Sequence, residues 1–395
     1  MSFQVTCMRA LVTGQTGAFY RLCIRLSCLL AMLSIVAPAA AANIEQQRSQ
    51  FLQARKAITA GQIDKFRTLA AGLENYPLYP YLRYEYIRRN LHSLSDNDIE
   101  AFFRRIPISR EPRYLRNKWL DLLASRGRWQ DYIDHYEQPN DNRLRCLYLI
   151  ARMKTGQTEY LLEDIRTMWL VGYSQHDACD PAFAKLEASP LMTEELILDR
   201  LRLALENNET GLANYLGKKL QGETRTQATR WIRMHRDPAA GTRNPQVSDT
   251  PLGREIILHG IHRLARFNID RALDRWAKLK DSYSFLPAER NRIERDLAVR
   301  AAGKDHPEAM QLLDRVANSE VDATVFIYRL RYAVNTDSWQ KLRDWTASEP
   351  PDDVDSAQWH YWHARALEHM GQHDTARELY HKLAAERRLL RISGR

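Results

Sequence analysis

The chain has 395 residues, a hydrophobic content of 44% and a formal charge of +9. The apolar residues are enough for a continuous core. With only 16 Gly, 15 Pro and few runs of β-branched residues, strand signals are weak and an all-α fold is expected. The basic excess is modest for this length and fits a solvated surface better than a dedicated nucleic-acid channel.

Residues 1–42 carry Arg9, Arg21 and Arg25 and no acidic side chain. They include an apolar run from Leu26 to Val36, and Ala37, Pro38 and Ala39–Ala42 then offer several small-residue cleavage choices. This is the pattern of a secretory signal peptide, and its removal would lower the formal charge by three. The run is too short for a membrane anchor, which needs about 20 apolar residues. Cys7, Cys23 and Cys28 would leave with it. The two remaining thiols, Cys146 and Cys179, are then expected to form a disulfide in an oxidising compartment, the alternative being two unrelated buried thiols.

From Asn43 onward a helical-hairpin pattern recurs. Gly61, Gly127, Gly156, Asn207 and Gly371 serve as turn anchors. Five residues after them come Phe66, Tyr132, Leu161, Leu212 and Ala376, and nine after come Ala70, Tyr136, Ile165, Leu216 and Tyr380. Each pair sits at i, i+4 on one face of a helix that follows a turn tolerant of positive φ, which is one unit of an α-solenoid.

In chain order, Asn43–Ala71 reads as the first hairpin. The aromatic block Asn75–Tyr86 follows, with a helix opening at Pro80. Its Tyr76, Tyr79, Tyr81 and Tyr84 read as packing between hairpins, with Tyr81 and Tyr84 at core-like spacing, or as a platform for stacking carbohydrate. Helices are expected over Asp96–Arg105, Pro112–Ser125, Trp129–Tyr136, Leu144–Met153, Tyr160–Leu170, Thr193–Glu206 and Thr210–Leu220. Asp237–Gly253 reads as the longest loop. Paired helices then cover Arg254–Arg266 with Asp270–Leu279, Pro287–Ala302 with Pro307–Val316, Val325–Val334 with Ser338–Ala347, and Ala357–Met370 with Thr375–Leu383. Thr375 and Glu378 have the spacing of a capping box.

Candidate chemistry is thin. His360, His363, His369, His373 and His381 cluster, but no acid or thiol completes zinc-ligand spacing, so they read as helix surface. Asp352, Asp353 and Asp355 precede a helix and suit its N-terminus better than a calcium loop. Arg225, Arg230, Arg233 and Arg236 surround Trp231, which reads as a solvated face or an attraction for an acidic cell-wall polymer. No phosphate loop, nucleophile elbow or H-E-x-x-H motif is present, and no metal or cofactor is expected.

Three stretches carry a family resemblance. Near the start are Glu45-Gln46-Gln47-Arg48 and the block Tyr76–Tyr84. In the middle are Cys146, Thr155-Gly156-Gln157, Trp169-Leu170, Gly172 and Ala178-Cys179-Asp180. At the end is Trp359–Leu383. In order and spacing the chain resembles the amino-terminal part of the soluble lytic murein transglycosylases.

The resemblance implies a right-handed superhelix of tetratricopeptide-like hairpins over 43–386, forming an incomplete ring, in a periplasmic protein that meets peptidoglycan glycan strands and other cell-wall proteins. It also implies that the family's linker and lysozyme-like domain are missing after an atypical tail, 387–395. In the family one glutamate of a Glu-Ser segment, upstream of a Gly-Leu-Met-Gln block, is general acid and then base in cleaving the MurNAc–GlcNAc bond to a 1,6-anhydro product. Neither segment occurs here, so no catalytic residue is assigned and the chain is expected to bind glycan or position a catalytic domain without cleaving. The rival expectation is a tetratricopeptide-like scaffold for periplasmic proteins.

Overall fold

The computed structural model describes residues 43–105, 110–138 and 141–393. Residues 1–42, where a signal peptide is expected, and the last two residues of the tail lie outside them. Every regular element among the described residues is helical.

The chain forms two compact units. The first contains the described residues up to Asp164 together with His176–Ala182, and the second contains Ile165–Gln175 and the described residues from Phe183 onward. In the first unit, α1 covers residues 43–59. It is followed by α2 (Ile63–Ala70), α3 (Tyr79–Asn90), α4 (Asp96–Arg105), α5 (Arg110–Ser125), α6 (Trp129–Asp134) and α7 (Asn142–Thr155). The chain passes from one unit to the other within α8 (Leu161–Trp169).

Helix α9 (Asp180–Glu187) crosses the division after Ala182, and the second unit continues through α10 (Glu194–Glu206), α11 (Thr210–Lys219), α12 (Gly222–Arg236) and the short α13 (Pro238–Gly241). Then come α14 (Pro251–Phe267), α15 (Ile269–Leu279), α16 (Pro287–Ala302), α17 (Ala309–Asp314), α18 (Ala323–Asn335), α19 (Trp339–Trp345), α20 (Ser356–His369) and α21 (His373–Ser393).

One hinge recurs. Gly61, Gly127, Gly156 and Gly371 have φ between +68 and +79°, and each is followed by an N–H bonded to the carbonyl five residues back: Gln62 to Ala57, Arg128 to Leu123, Gln157 to Arg152 and Gln372 to Leu367. This closes the preceding helix with a left-handed residue. The residue after the hinge has nearly the same backbone in Gln62 (−81°, 73°), Arg128 (−81°, 67°), Glu209 (−81°, 66°) and Ser338 (−83°, 52°), and the next helix starts at once.

At the fourth anchor the structure corrects the sequence reading. Asn207 has φ −84°, and the left-handed residue is Asn208 at +60°. Asp305 and Asp337 hold the same hinge, with His306 bonded to Ala301 and Ser338 to Ala333. Asn and Asp tolerate this conformation better than other side-chain-bearing residues, so a search centred on Gly passes over them.

The apolar positions anchored on these turns form the core. Phe66, Tyr132, Leu161, Leu212 and Ala376 are all buried, as are Ala57, Leu123 and Leu367 before the turns. In the first unit the Tyr132 hydroxyl donates to the Leu144 carbonyl at 2.8 Å, tying α6 to α7. In the second, Trp359 Nε1 donates to the carbonyls of Thr346 and Ser348, so this buried indole leaves no N–H unpaired.

Several boundaries differ from the sequence reading. Asp237–Gly253 is not one loop: Asp237 caps α13, and the Thr250 hydroxyl accepts the Gly253 N–H to start α14 at Pro251. The last helix starts at His373, which places Thr375 inside it rather than at its cap, and it runs past Leu383 to Ser393. The reciprocal N-terminal bond occurs instead at α16, where the Glu289 carboxylate accepts the Leu286 N–H at 2.7 Å.

Candidate functional site

Within the second unit alternate helices are neighbours: α10 packs beside α12, α12 beside α14, and α14 beside α16. Each turns one stripe at helical spacing into a shared cavity of about 450 Å³. From α10 come Arg202, Leu205 and Glu206, and from α12 come Trp231 and His235. The longest stripe is that of α14, with Glu255, Leu258, His259, His262, Arg263 and Arg266. Helix α16 adds Glu289, Arg292, Ile293 and Asp296. The i, i+3, i+4, i+7 spacing puts each set on one face of its helix, and the opposite face of α14 buries Ile256, Ile257, Ile261 and Leu264. Gly260 permits this packing, since a Cβ there would fall 2.4 Å from Met234 Sδ.

Two residues lining the cavity meet directly, His235 Nδ1 and His259 Nε2 lying 3.0 Å apart. His235 is 1% exposed, and its Nε2 has no partner. Burial, then the Arg263, Arg266 and Arg236 guanidinium groups, push the His235 pKa down to about 4. Burial, then His235 and Arg263, push His259 down to about 3. Both rings are therefore neutral at neutral pH, the burial effect expected for imidazoles.

The arginines divide into two sets. Arg202 clamps the Glu255 carboxylate with two donors and also bonds Asp199. Arg263, by contrast, donates only to neutral acceptors, the His235 carbonyl at 2.5 Å and Asn208 Oδ1 at 2.8 Å. Arg266 reaches only the His262 ring, at 3.5 Å. Among the described residues no carboxylate pairs with Arg263, Arg266 or Arg292.

Cys146 and Cys179, both fully buried, form a disulfide with Cα atoms 4.8 Å apart, inside the first unit. The tyrosine block does not converge on one surface. Tyr76 is buried against Phe51, ring centroids 5.4 Å apart, and Tyr79 and Tyr84 pack partly buried on the same core. Tyr81 is 55% exposed, against its expected core-like spacing, because Leu82 and Tyr86 take the inward positions of α3.

The other candidates also resolve. His363 bonds the Thr346 hydroxyl at 2.9 Å, His360 bonds the Ser356 carbonyl, and His369 stacks on Trp339 with centroids 3.7 Å apart. No metal-ligand group is found among the described residues. Asp355 caps α20, and Asp353 accepts the Ala323 N–H. Trp231 is buried, so it does not share a surface with the exposed Arg225, Arg233 and Arg236.

Sequence reasoning passed over the cavity, although His259, His262, Arg263 and Arg266 already stand at i, i+3, i+4 and i+7 in the chain.

No protein-family model matches the chain. The soluble lytic murein transglycosylase of Escherichia coli K12 is 28% identical over 364 residues, covering 91% of this chain and 56% of that protein. The Salmonella typhimurium protein of the same name is 29% identical over the same coverage. Among solved structures, the lytic transglycosylase Slt of Pseudomonas aeruginosa, an inactive mutant, aligns with a TM-score of 0.69 at 27% identity, over 84% of this chain and 55% of that one. The 70 kDa soluble lytic transglycosylase of Escherichia coli gives 0.69 at 26% identity, over 86% and 55%. The chain spans about half the length of the curated relatives it matches.

Proposed function

Because the chain is homologous to the soluble lytic murein transglycosylases, we propose that it is the right-handed superhelical module of such a protein and holds peptidoglycan strands without cleaving them. The observation that carries this reading is the match over 91% of the chain to proteins with that name. The recurring left-handed hinge and the side-by-side row of alternate helices support it, since that architecture offers a long recognition surface.

Cleavage by the family's route needs a positioned carboxylic acid, and no Glu-Ser or Gly-Leu-Met-Gln segment exists in the sequence. The periplasm is the proposed compartment, in keeping with the apolar leader and the buried disulfide. No described helix is long and apolar enough to cross a membrane.

The test is incubation with purified sacculi, followed by mass spectrometry of the supernatant. The reading predicts bound protein and no released muropeptide. Release of 1,6-anhydro products would overturn the non-cleaving part, and protein left in the supernatant would favour a scaffold for other periplasmic proteins.

A further inference from the structure

We propose that the cavity between α10, α12, α14 and α16 is a binding site for an organic monocarboxylate. Resting on the murein reading, this ligand is the carboxylate of a murein fragment. The free lactyl group of a muramic acid and the terminal carboxylate of a stem peptide share that chemistry.

Three features converge. Arg263, Arg266 and Arg292 line the cavity with no carboxylate partner among the described residues, while neighbouring Arg202 is fully engaged. Guanidinium groups that contact no carboxylate, gathered in one concavity, favour an anion, which they can grip with paired donors. Second, His235 lines the same cavity with a buried, partnerless Nε2. When His235 Nδ1 accepts from His259, that Nε2 carries a proton and becomes a donor. Third, Leu205, Trp231, Leu258 and Ile293 supply apolar wall, and the cavity volume is in the range that takes a small organic ligand.

The surrounding acids set the ligand's charge. Glu206, Glu255, Glu289 and Asp296 also line the space, so a dianion such as phosphate meets more repulsion than a single carboxylate on an apolar body.

The experiment is calorimetric titration of the full chain with N-acetylmuramic acid, with a stem peptide ending in a free carboxylate, with neutral N-acetylglucosamine and with inorganic phosphate. It is repeated on R266Q/R292Q, whose substituted side chains are exposed and leave the core intact. Binding of one or both carboxylates, weakened roughly tenfold per arginine removed, with a shifted His235 ring resonance, supports the site. The stronger of the two names the source.

Phosphate binding as tight as the carboxylates, equal binding by the double variant, or no binding at all overturns it. Retention of the double variant on sacculi at the wild-type level, with no carboxylate bound by either protein, rejects this site and leaves the murein reading standing.

Discussion

Arg200 lays its guanidinium over the Trp169 indole, 4.5 Å from the ring centroid, and donates to the carbonyls of Val171 and Tyr173. Arg329 repeats the device in a later hairpin. It lies 5.2 Å from the Trp345 ring and donates to the carbonyls of Leu313 and Val316. Each arginine is almost fully buried without a carboxylate, and burial lowers each pKa to about 10, so both stay charged at neutral pH. They bring donors to carbonyls in the last turn of a helix or just beyond its end.

A lysine cannot reproduce a planar fork that stacks and bonds two carbonyls at once. Arg200→Lys and Arg329→Lys should each lower the unfolding free energy by about 1–3 kcal/mol. Urea titration of each variant checks this, and an unchanged midpoint would show that the carbonyls find other partners.

The hinge makes a paired prediction. Asp305 and Asp337 hold positive φ with side chains, at 51° and 52°, so Asp305→Gly and Asp337→Gly should be neutral or stabilising by up to about 1 kcal/mol. Gly371→Ala, at 79° with open space around the new Cβ, should cost about 1 kcal/mol through backbone strain alone. Thermal melts of the three variants would show opposite signs. The same sign for all would detach stability from hinge geometry.

Reducing the Cys146–Cys179 bridge, whose partners are 33 residues apart, should lower stability by about 3–4 kcal/mol in the chain-entropy view. Denaturation with and without reductant measures it, and Cys146→Ser should match the reduced wild type. A free-thiol titre of two in the unreduced denatured chain would deny the bond.

Protonation of His235 and His259 is opposed in the folded state, where their values fall to about 4 and 3 from 6.5. The unfolded chain therefore binds more protons between these limits. Stability from this pair is complete above pH 6.5 and is lost as pH falls toward 3. The groups facing the pair are Arg236, Arg263, Arg266 and His262. Comparison of urea midpoints at pH 7 and 5 should show a smaller loss in a His235→Gln, His259→Gln double variant than in the wild type.

The hairpin cores were legible in the chain because an i, i+4 apolar pair after a turn glycine is local information. Phe66, Tyr132 and Ala376 were found that way. The fourth hinge was placed one residue early, at Asn207 rather than Asn208, and those at Asp305 and Asp337 were hidden because no glycine marks them. The start of α14 was missed because Pro251 was read as a breaker, although Thr250 before it makes a cap and first helical residue.

The cavity stayed hidden for a different reason. Arg263, Arg266 and Arg292 are common surface residues, and only packing reveals that Arg202 found acids while they did not. Tyr81 likewise needed the orientation of α3, which its neighbours Leu82 and Tyr86 determine.

Co-sedimentation with purified sacculi tests the central claim most directly. A murein-holding row of hairpins predicts that the intact chain leaves the supernatant with the sacculi, saturably, with no soluble glycan released. Full recovery of the protein in the supernatant across the concentration range would contradict it.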